Sequence, residues 1–109
     1  MALAGIDQAG RGAGDGMSNA GKRWMHRVAQ VPCVLCKRMG LGDTPSQVHH
    51  LKYGQGASDR ASDFLTIAVC PEHHTGASGI HTLKEHGLYV RYKCSELDLL
   101  ADTLAAMKP

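Results

Sequence analysis

The chain has 109 residues, a formal net charge of +2 at pH 7, and only one Trp, one Phe and three Tyr. This length allows one domain at most, and so few aromatic residues predict a small core that a bound metal would help to stabilise. The mildly basic charge permits nucleic-acid binding without demonstrating it. There is no stretch of membrane-span length and no secretory signal, so we expect a cytoplasmic protein with no membrane partner.

The N-terminal segment is rich in Gly and Ala and has almost no apolar periodicity. Such a segment buries too little surface to offset its ordering entropy. We therefore predict a disordered, flexible tail at 1–20 and a folded domain at 21–109. A short helix is predicted from Ser18 to Gln30, because Trp24 and Val28 lie at helical spacing.

The middle of the chain begins with a turn that has the form of a zinc knuckle, Cys33-Val34-Leu35-Cys36. A loop with strong helix and strand breakers follows at 40–45. Residues 47–52 are then predicted to form a short strand. This strand contains the adjacent pair His49-His50.

A second polar loop at 53–62 precedes an apolar, β-branched strand at 64–69. Cys70-Pro71 then opens a helix, because proline is tolerated in the first helical turn. The predicted order is knuckle, strand, loop, strand and helix, which is an α+β arrangement.

Two further helices are predicted near the C-terminus. The first runs from Ile80 to about His86, with Gly87 as its stop. The second runs from Ser95 to Met107, with Ser95 as the N-cap and Asp98 three residues on. Its expected apolar stripe consists of Leu97, Leu100, Leu104 and Met107.

Cysteines and histidines are spaced as zinc ligands. Cys70 and His73 share a helix face, and Cys33 and Cys36 can meet them across the hairpin in a closed Cys3His site. Thiolate ligands favour structural zinc, and in a reducing cytosol this spacing indicates metal rather than disulfides. His74, four residues after Cys70, competes with His73 for the fourth position.

A structural zinc leaves several histidines unassigned, which points to chemistry. If His73 faces the zinc, His74 points about 100° away, toward the strand pair. Adjacent strand residues point to opposite faces, so His49 and His50 are expected to do different tasks. One consistent division makes His49 a metal ligand and His50 a general base on a water. His81 is a further candidate for a metal ligand or phosphate contact.

This knuckle and strand–strand–helix order resembles the HNH nucleases, also called His-Me finger or ββα-metal nucleases. The fuller pattern is similar to the phage and prophage recombination-enhancement (Ref-type) nucleases, which cut DNA in a RecA-dependent manner. The likeness spans roughly 22–107. The motifs that carry it are Gly42-Asp43-Thr44-Pro45, Val48-His49-His50-Leu51, Gly54-Gln55-Gly56, Arg60-Ala61-Ser62 and Cys70-Pro71-Glu72-His73-His74-Thr75-Gly76.

The resemblance implies a small metal-dependent endonuclease with one structural zinc and one catalytic divalent cation, Mg²⁺ or Mn²⁺ with Zn²⁺ as a further candidate. His50 matches the general base of the family, His49 the neighbouring strand ligand, and His74 the helix ligand of the catalytic metal. The family also implies DNA as substrate and a RecA-type recombinase filament as partner.

One position departs from the family pattern. The middle Asn of the HNH signature is replaced here by Leu65. That Asn supports the loop that presents the base, and Asp59, Asp63 or Thr66 are the candidates for its hydrogen bonding.

Basic residues concentrate in the first half of the chain. Four of them are candidate phosphate contacts at the rim of the cleft: Lys37, Arg38, Lys52 and Arg60. The alternative function is a non-catalytic zinc module that binds nucleic acid or protein, which should hold zinc alone and tolerate loss of His50. A redox Cys-x-x-Cys protein is disfavoured, because the thioredoxin-like βαβ context is absent.

Overall fold

The computed structural model describes residues 19–56 and 60–107. Within them it has a two-stranded sheet and five helices. These elements are α1 (Asn19–Ala29), α2 (Val34–Arg38), β1 (Gln47–His50), β2 (Thr66–Val69), α3 (Pro71–His74), α4 (Ile80–Tyr92) and α5 (Glu96–Ala106). The α+β class is as predicted. The expected tail at 1–20 lies outside the described residues, except that Asn19 and Ala20 belong to α1.

The sheet is an antiparallel hairpin. Gln47 pairs with Val69 and His50 with Thr66, and the Leu51 N–H donates to the Leu65 carbonyl at 3.0 Å just beyond the strands. Both strands are shorter than predicted, since the regular pairing ends at His50 and starts at Thr66. All four β2 residues are buried, because α1, α2 and α5 pack against this strand. The β2 strand is therefore the centre of the small core.

The C-terminal helix α5 packs against β2 through a face that differs from the predicted one. The Thr103 hydroxyl accepts from the Ala68 N–H at 3.3 Å and donates to the Leu99 carbonyl at 2.9 Å. Leu97 and Leu104 are 45% and 42% exposed. The predicted apolar stripe was wrong at Leu97 and Leu104, whereas Leu100 and Met107 do pack against the core. Two of the three buried positions of the helix, Glu96 and Thr103, carry polar side chains. The Ser95–Asp98 capping box is confirmed.

Helix α4 also differs from its prediction, since it continues through Gly87 to Tyr92. The left-handed break in it falls at Lys84, with φ 60° and ψ −175°. Gly87 is packed against Leu83 inside the helix instead of ending it. The predicted zinc-knuckle turn also differs from its prediction, because a helix, α2, begins within it at Val34. None of the helices that the structure describes has the length and apolar character of a membrane span.

Candidate metal centres and catalytic cleft

Three cysteines and one histidine form a compact buried cluster. The His73 Nδ1 atom lies 3.6 Å from the Cys33 Sγ, 3.5 Å from the Cys36 Sγ and 3.4 Å from the Cys70 Sγ. The Cys36 and Cys70 sulfurs are 3.8 Å apart. Cys33 is fully buried and His73 is 6% exposed. The structure thus brings the four predicted ligands together, with His73 as the imidazole.

These spacings fit a tetrahedral zinc ion. At usual Zn–S and Zn–N bond lengths, the edges of such a tetrahedron are about 3.8 Å between sulfurs and about 3.6 Å from sulfur to nitrogen. Burial raises the pKa of the Cys33 thiol to about 11, although hydrogen bonds from the backbones of Cys36 and Cys70 partly oppose the rise. The Cys3His cluster can therefore hold a metal such as zinc, which would supply the positive charge that buried thiolates need.

Local structure explains how these ligands meet. The Cys36 N–H donates to the Cys33 sulfur at 3.3 Å, and the turn of α2 keeps both thiols on the same side. Cys70 is the N-cap of α3, and Pro71 occupies the first turn as predicted. His73 follows one turn after Cys70, and the Tyr92 ring packs edge-on against its imidazole at 5.8 Å.

A second group consists of three histidines, His49, His74 and His81, with one ring nitrogen of each within 4.8 Å of the others. The Nε2 atoms of His74 and His81 are 3.2 Å apart. The His49 ring centroid lies 5.2 Å from that of His74 and 4.9 Å from that of His81. His49 is buried, His74 half-buried and His81 exposed, so this cluster opens toward solvent on one side.

The hydrogen bonds around the three rings leave nitrogen atoms for a metal. His74 Nδ1 donates to the Gln47 amide oxygen at 2.9 Å, which leaves its Nε2 with a lone pair. Burial, with smaller contributions from His49 and His81, lowers the pKa of His74 to about 4. The pKa of His81 is also lowered, chiefly by burial. Both rings are therefore neutral at neutral pH, which is the form that binds metal.

His49 is held by a carboxylate from another part of the chain. Its Nε2 lies 2.5 Å from Glu96 Oε2, at the start of α5. Burial would raise the pKa of Glu96, but the hydrogen bonds from His49 and from the Tyr53 and Lys52 N–H groups lower it. The other ring nitrogen, His49 Nδ1, is buried and has no hydrogen-bond partner among the described residues. Such an unsatisfied buried nitrogen fits a metal ligand.

A tight turn between α3 and α4 brings His74 and His81 together. Gly79 is buried in this turn, and a Cβ atom there would lie 2.7 Å from the His74 carbonyl carbon and oxygen. The Thr82 hydroxyl closes the turn by donating to the Gly76 carbonyl at 2.8 Å. Only a glycine fits at position 79 without a shift of one helix relative to the other.

The adjacent strand residue, His50, has a different environment from His49. Its Nε2 lies 2.9 Å from Asp63 Oδ1, and the same oxygen accepts from Arg60 Nη2 at 2.8 Å. Burial would raise the pKa of Asp63, but the hydrogen bonds from His50 and Arg60 outweigh it and lower the pKa. Asp63 is thus an ionised acceptor, and His50 Nε2 is the donor. Asp63 is one of the three residues that the sequence offered in place of the missing Asn.

A shallow cleft of about 300 Å³ connects these groups. It is lined by Val48, His50, Leu51, Lys52, Arg60, His74 and His81. Lys52 and His81 also line an adjoining cleft of about 360 Å³. Two of the four predicted phosphate contacts, Lys52 and Arg60, therefore lie beside the histidines.

The other two predicted phosphate contacts lie elsewhere. Lys37 and Arg38 line a separate cleft beside α5. Lys37 forms an exposed ion pair with Asp43 at 3.6 Å. Arg38 donates to Asp102 at 2.6 Å. Nearby carboxylates thus offset the charge of this second pair of basic residues.

Two residues of the site were missed by the sequence analysis. Glu96 received no role because a glutamate in the first turn of a helix is ordinarily explained by the helix dipole. Gln47 received none because a polar residue at the start of a strand is ordinary. Only the fold, which places them against His49 and His74, reveals their contacts.

Comparison with known families agrees with the sequence resemblance. Residues 18–104 match the family model described as "Recombination enhancement, RecA-dependent nuclease". The chain belongs to this family. The family description implies nuclease activity in recombination and the involvement of DNA and RecA. No match was found among curated proteins or among solved structures.

Proposed function

We propose that this member of the RecA-dependent nuclease family is a metal-dependent DNA endonuclease of the HNH type, with His50 as the general base. The observation that carries the proposal is the division between the two adjacent strand histidines. His49 joins a three-histidine cluster, whereas His50 pairs with an ionised carboxylate, Asp63. The ββα order of β1, β2 and α3 is consistent with the HNH fold.

Each group has a role in the proposed hydrolysis. His49, His74 and His81 would hold the catalytic cation, for which Mg²⁺, Mn²⁺ and Zn²⁺ are candidates. When bound, that cation supplies positive charge for the phosphate and the leaving oxygen. Three protein ligands and an open side are typical of catalytic rather than structural metal sites.

His50 is suited to activate the attacking water. Because its Nε2–H donates to Asp63, the lone pair on Nδ1 is left to accept a proton. The negative charge of Asp63 then stabilises the imidazolium that forms. This pairing also compensates for the replacement of the middle HNH Asn by Leu65, because Asp63 orients the His50 ring in place of that Asn.

The substrate would be held by basic residues beside the histidines. Lys52 and Arg60 line the same cleft as His50, and we propose that they contact DNA phosphates. Lys37 and Arg38 are left out of this surface, because they line another cleft. A RecA-type filament in the cytoplasm is the proposed partner that selects the DNA, and this part rests on the family description.

The test is cleavage of circular single-stranded and double-stranded DNA with Mg²⁺ or Mn²⁺, with and without a RecA filament. We expect His50→Ala to lower the cleavage rate by about 10²–10⁴-fold, because a general base is lost. His26→Ala is the matched control, since His26 is exposed on α1 and outside both clusters. The zinc content and the melting temperature of both variants should equal those of the parent.

The same assay separates the proposal from its alternative. Cleavage that persists in His50→Ala would assign the base to another residue. A folded, zinc-loaded parent that cuts no DNA under any condition would support a non-catalytic module that binds nucleic acid or protein. Cleavage that requires the filament would establish the partner.

A further inference from the structure

Glu96 is a buried carboxylate that contacts three groups from the hairpin. It is 9% exposed, and its two oxygens accept from the Lys52 N–H at 3.0 Å. Oε1 also accepts from the Tyr53 N–H at 2.7 Å. Oε2 lies 2.5 Å from His49 Nε2. Glu96 thus links the first turn of α5 to the end of β1 and to His49.

We infer that Glu96 is a positioning residue that fixes the tautomer of His49, so that Nδ1 is the atom presented to the catalytic metal. This inference rests on the proposed function of the three-histidine cluster. An ionised carboxylate only accepts hydrogen bonds, so His49 Nε2 must carry the hydrogen. The lone pair is then on Nδ1, which is the buried nitrogen without a partner among the described residues.

The geometry assigns different tasks to the two oxygens of Glu96. Oε1 is the nearer acceptor for the Tyr53 N–H, whereas Oε2 faces His49. In Glu96→Gln, the backbone N–H groups of Lys52 and Tyr53 still require an acceptor, so the amide oxygen is expected to face them. The amide NH₂ would then face His49 Nε2 and donate to it. That arrangement transfers the hydrogen of His49 to Nδ1 and blocks the metal-binding atom.

The direct test is the tautomer of His49, read by long-range ¹H–¹⁵N correlation spectra of zinc-loaded protein without a second metal. At about pH 8 the parent should show a hydrogen on Nε2 and none on Nδ1. Glu96→Gln should show the reverse. A protonated Nδ1 in the parent, or an unchanged tautomer in the variant, would overturn the inference.

A second readout is the affinity of the cluster for Co²⁺, titrated calorimetrically into zinc-preloaded protein. We expect Glu96→Gln to weaken Co²⁺ binding by about 10–100-fold, the usual effect of losing an outer hydrogen-bond partner of a metal ligand. Unchanged affinity in this variant would contradict the role of Glu96. The melting temperature of each variant is measured alongside.

Two controls separate positioning from simple loosening of the structure. Asp63→Asn makes the same carboxylate-to-amide change beside His50, so it should leave the His49 tautomer and Co²⁺ affinity as in the parent. Asp98→Ala removes the capping box of α5 without touching His49. If Asp98→Ala weakens Co²⁺ binding as much as Glu96→Gln does, Glu96 acts only through helix docking and the inference fails.

The outcome for Glu96 is distinguishable from the outcome for the proposed function. A reversed tautomer and weaker Co²⁺ binding in a protein that cuts no DNA would support the inference and refute the nuclease. Cleavage that depends on His50, with an unaltered His49 tautomer in Glu96→Gln, would support the nuclease and refute the inference about Glu96.

Discussion

The two side-chain clusters of this small domain that could hold a metal differ in how closed they are. The Cys3His cluster offers four ligand atoms, and all four residues are buried. The three-histidine cluster has one buried, one half-buried and one exposed ligand, and it borders a cleft. Full ligation in a closed site suits a structural ion, whereas an incomplete set with an open side suits a reacting one.

The clusters also differ in which parts of the chain they join. The Cys3His cluster links α2 to the start of α3, beside the buried strand β2. The three histidines link β1, α3 and α4, and Glu96 adds the start of α5. Both clusters use α3, where the adjacent residues His73 and His74 point to different centres. Breaking the first cluster should therefore affect the whole fold, and breaking the second should affect chemistry alone.

The largest effect is expected for Cys36→Ser, which removes a ligand of the closed cluster. Structural zinc sites supply folding free energy directly, on the order of 10 kcal/mol in small zinc domains. The variant should lose its bound zinc and its cooperative thermal transition, as measured by metal analysis and circular dichroism. Cys94→Ala is the control, because Cys94 is buried outside the cluster and its truncation should cost about 1 kcal/mol. Equal melting of the two variants would contradict a structural metal.

His81→Ala should break the open cluster while the fold persists. Because His81 is exposed, its loss should change the free energy of unfolding by only about 0.5 kcal/mol or less. Co²⁺ affinity should fall by more than the roughly 100-fold that an outer-shell change costs, and cleavage should be lost. Zinc content should stay at the parental level. A variant that unfolds or releases zinc would show that the two clusters are not independent.

Asp63→Ala sharpens the comparison within the open site, because it removes the partner of His50 and leaves the three metal ligands intact. We expect a loss of cleavage of about 10–100-fold, since orienting partners typically contribute that much. The affinity for Co²⁺ should be unchanged. An effect on metal affinity without an effect on rate would place Asp63 with the metal instead of the base.

The smallest effect is expected from single basic residues at the cleft. Lys52→Ala should weaken DNA binding uniformly and reduce the salt-dependence slope by about 1, as expected for one lost phosphate contact. Lys37→Ala is the matched control, because Lys37 is paired with Asp43 beside a different cleft. Fluorescence anisotropy across a salt series measures both. Equal slopes in the two variants would show that the cleft is not where DNA binds.

The local elements were largely predictable, with errors where tertiary contacts override local pattern. The capping box at Ser95 and the Pro71 helix start were correct because short-range hydrogen bonds decide them. The buried face of α5 was not predictable, since Glu96 is buried only through its hairpin contacts. Gly87 continues a helix because its small size suits packing against Leu83. The partners of Glu96 are 43 to 47 residues away in the chain, so the residues around Glu96 do not encode them.

The sequence by itself determined which cysteines and histidines are candidate metal ligands, because the spacing of zinc ligands depends on short turns and on one turn of helix. It also predicted that His49 and His50 point to opposite faces of the strand, because the strand period is two. Only the tertiary structure decided which imidazole completes the cysteine cluster, that Asp63 partners His50, and that Glu96 holds His49. These pairs are 13 to 47 residues apart in the chain, so no local pattern specifies them. His50 and Asp63 meet through the hairpin pairing, and the other two pairs meet because α2 and α5 pack against β2.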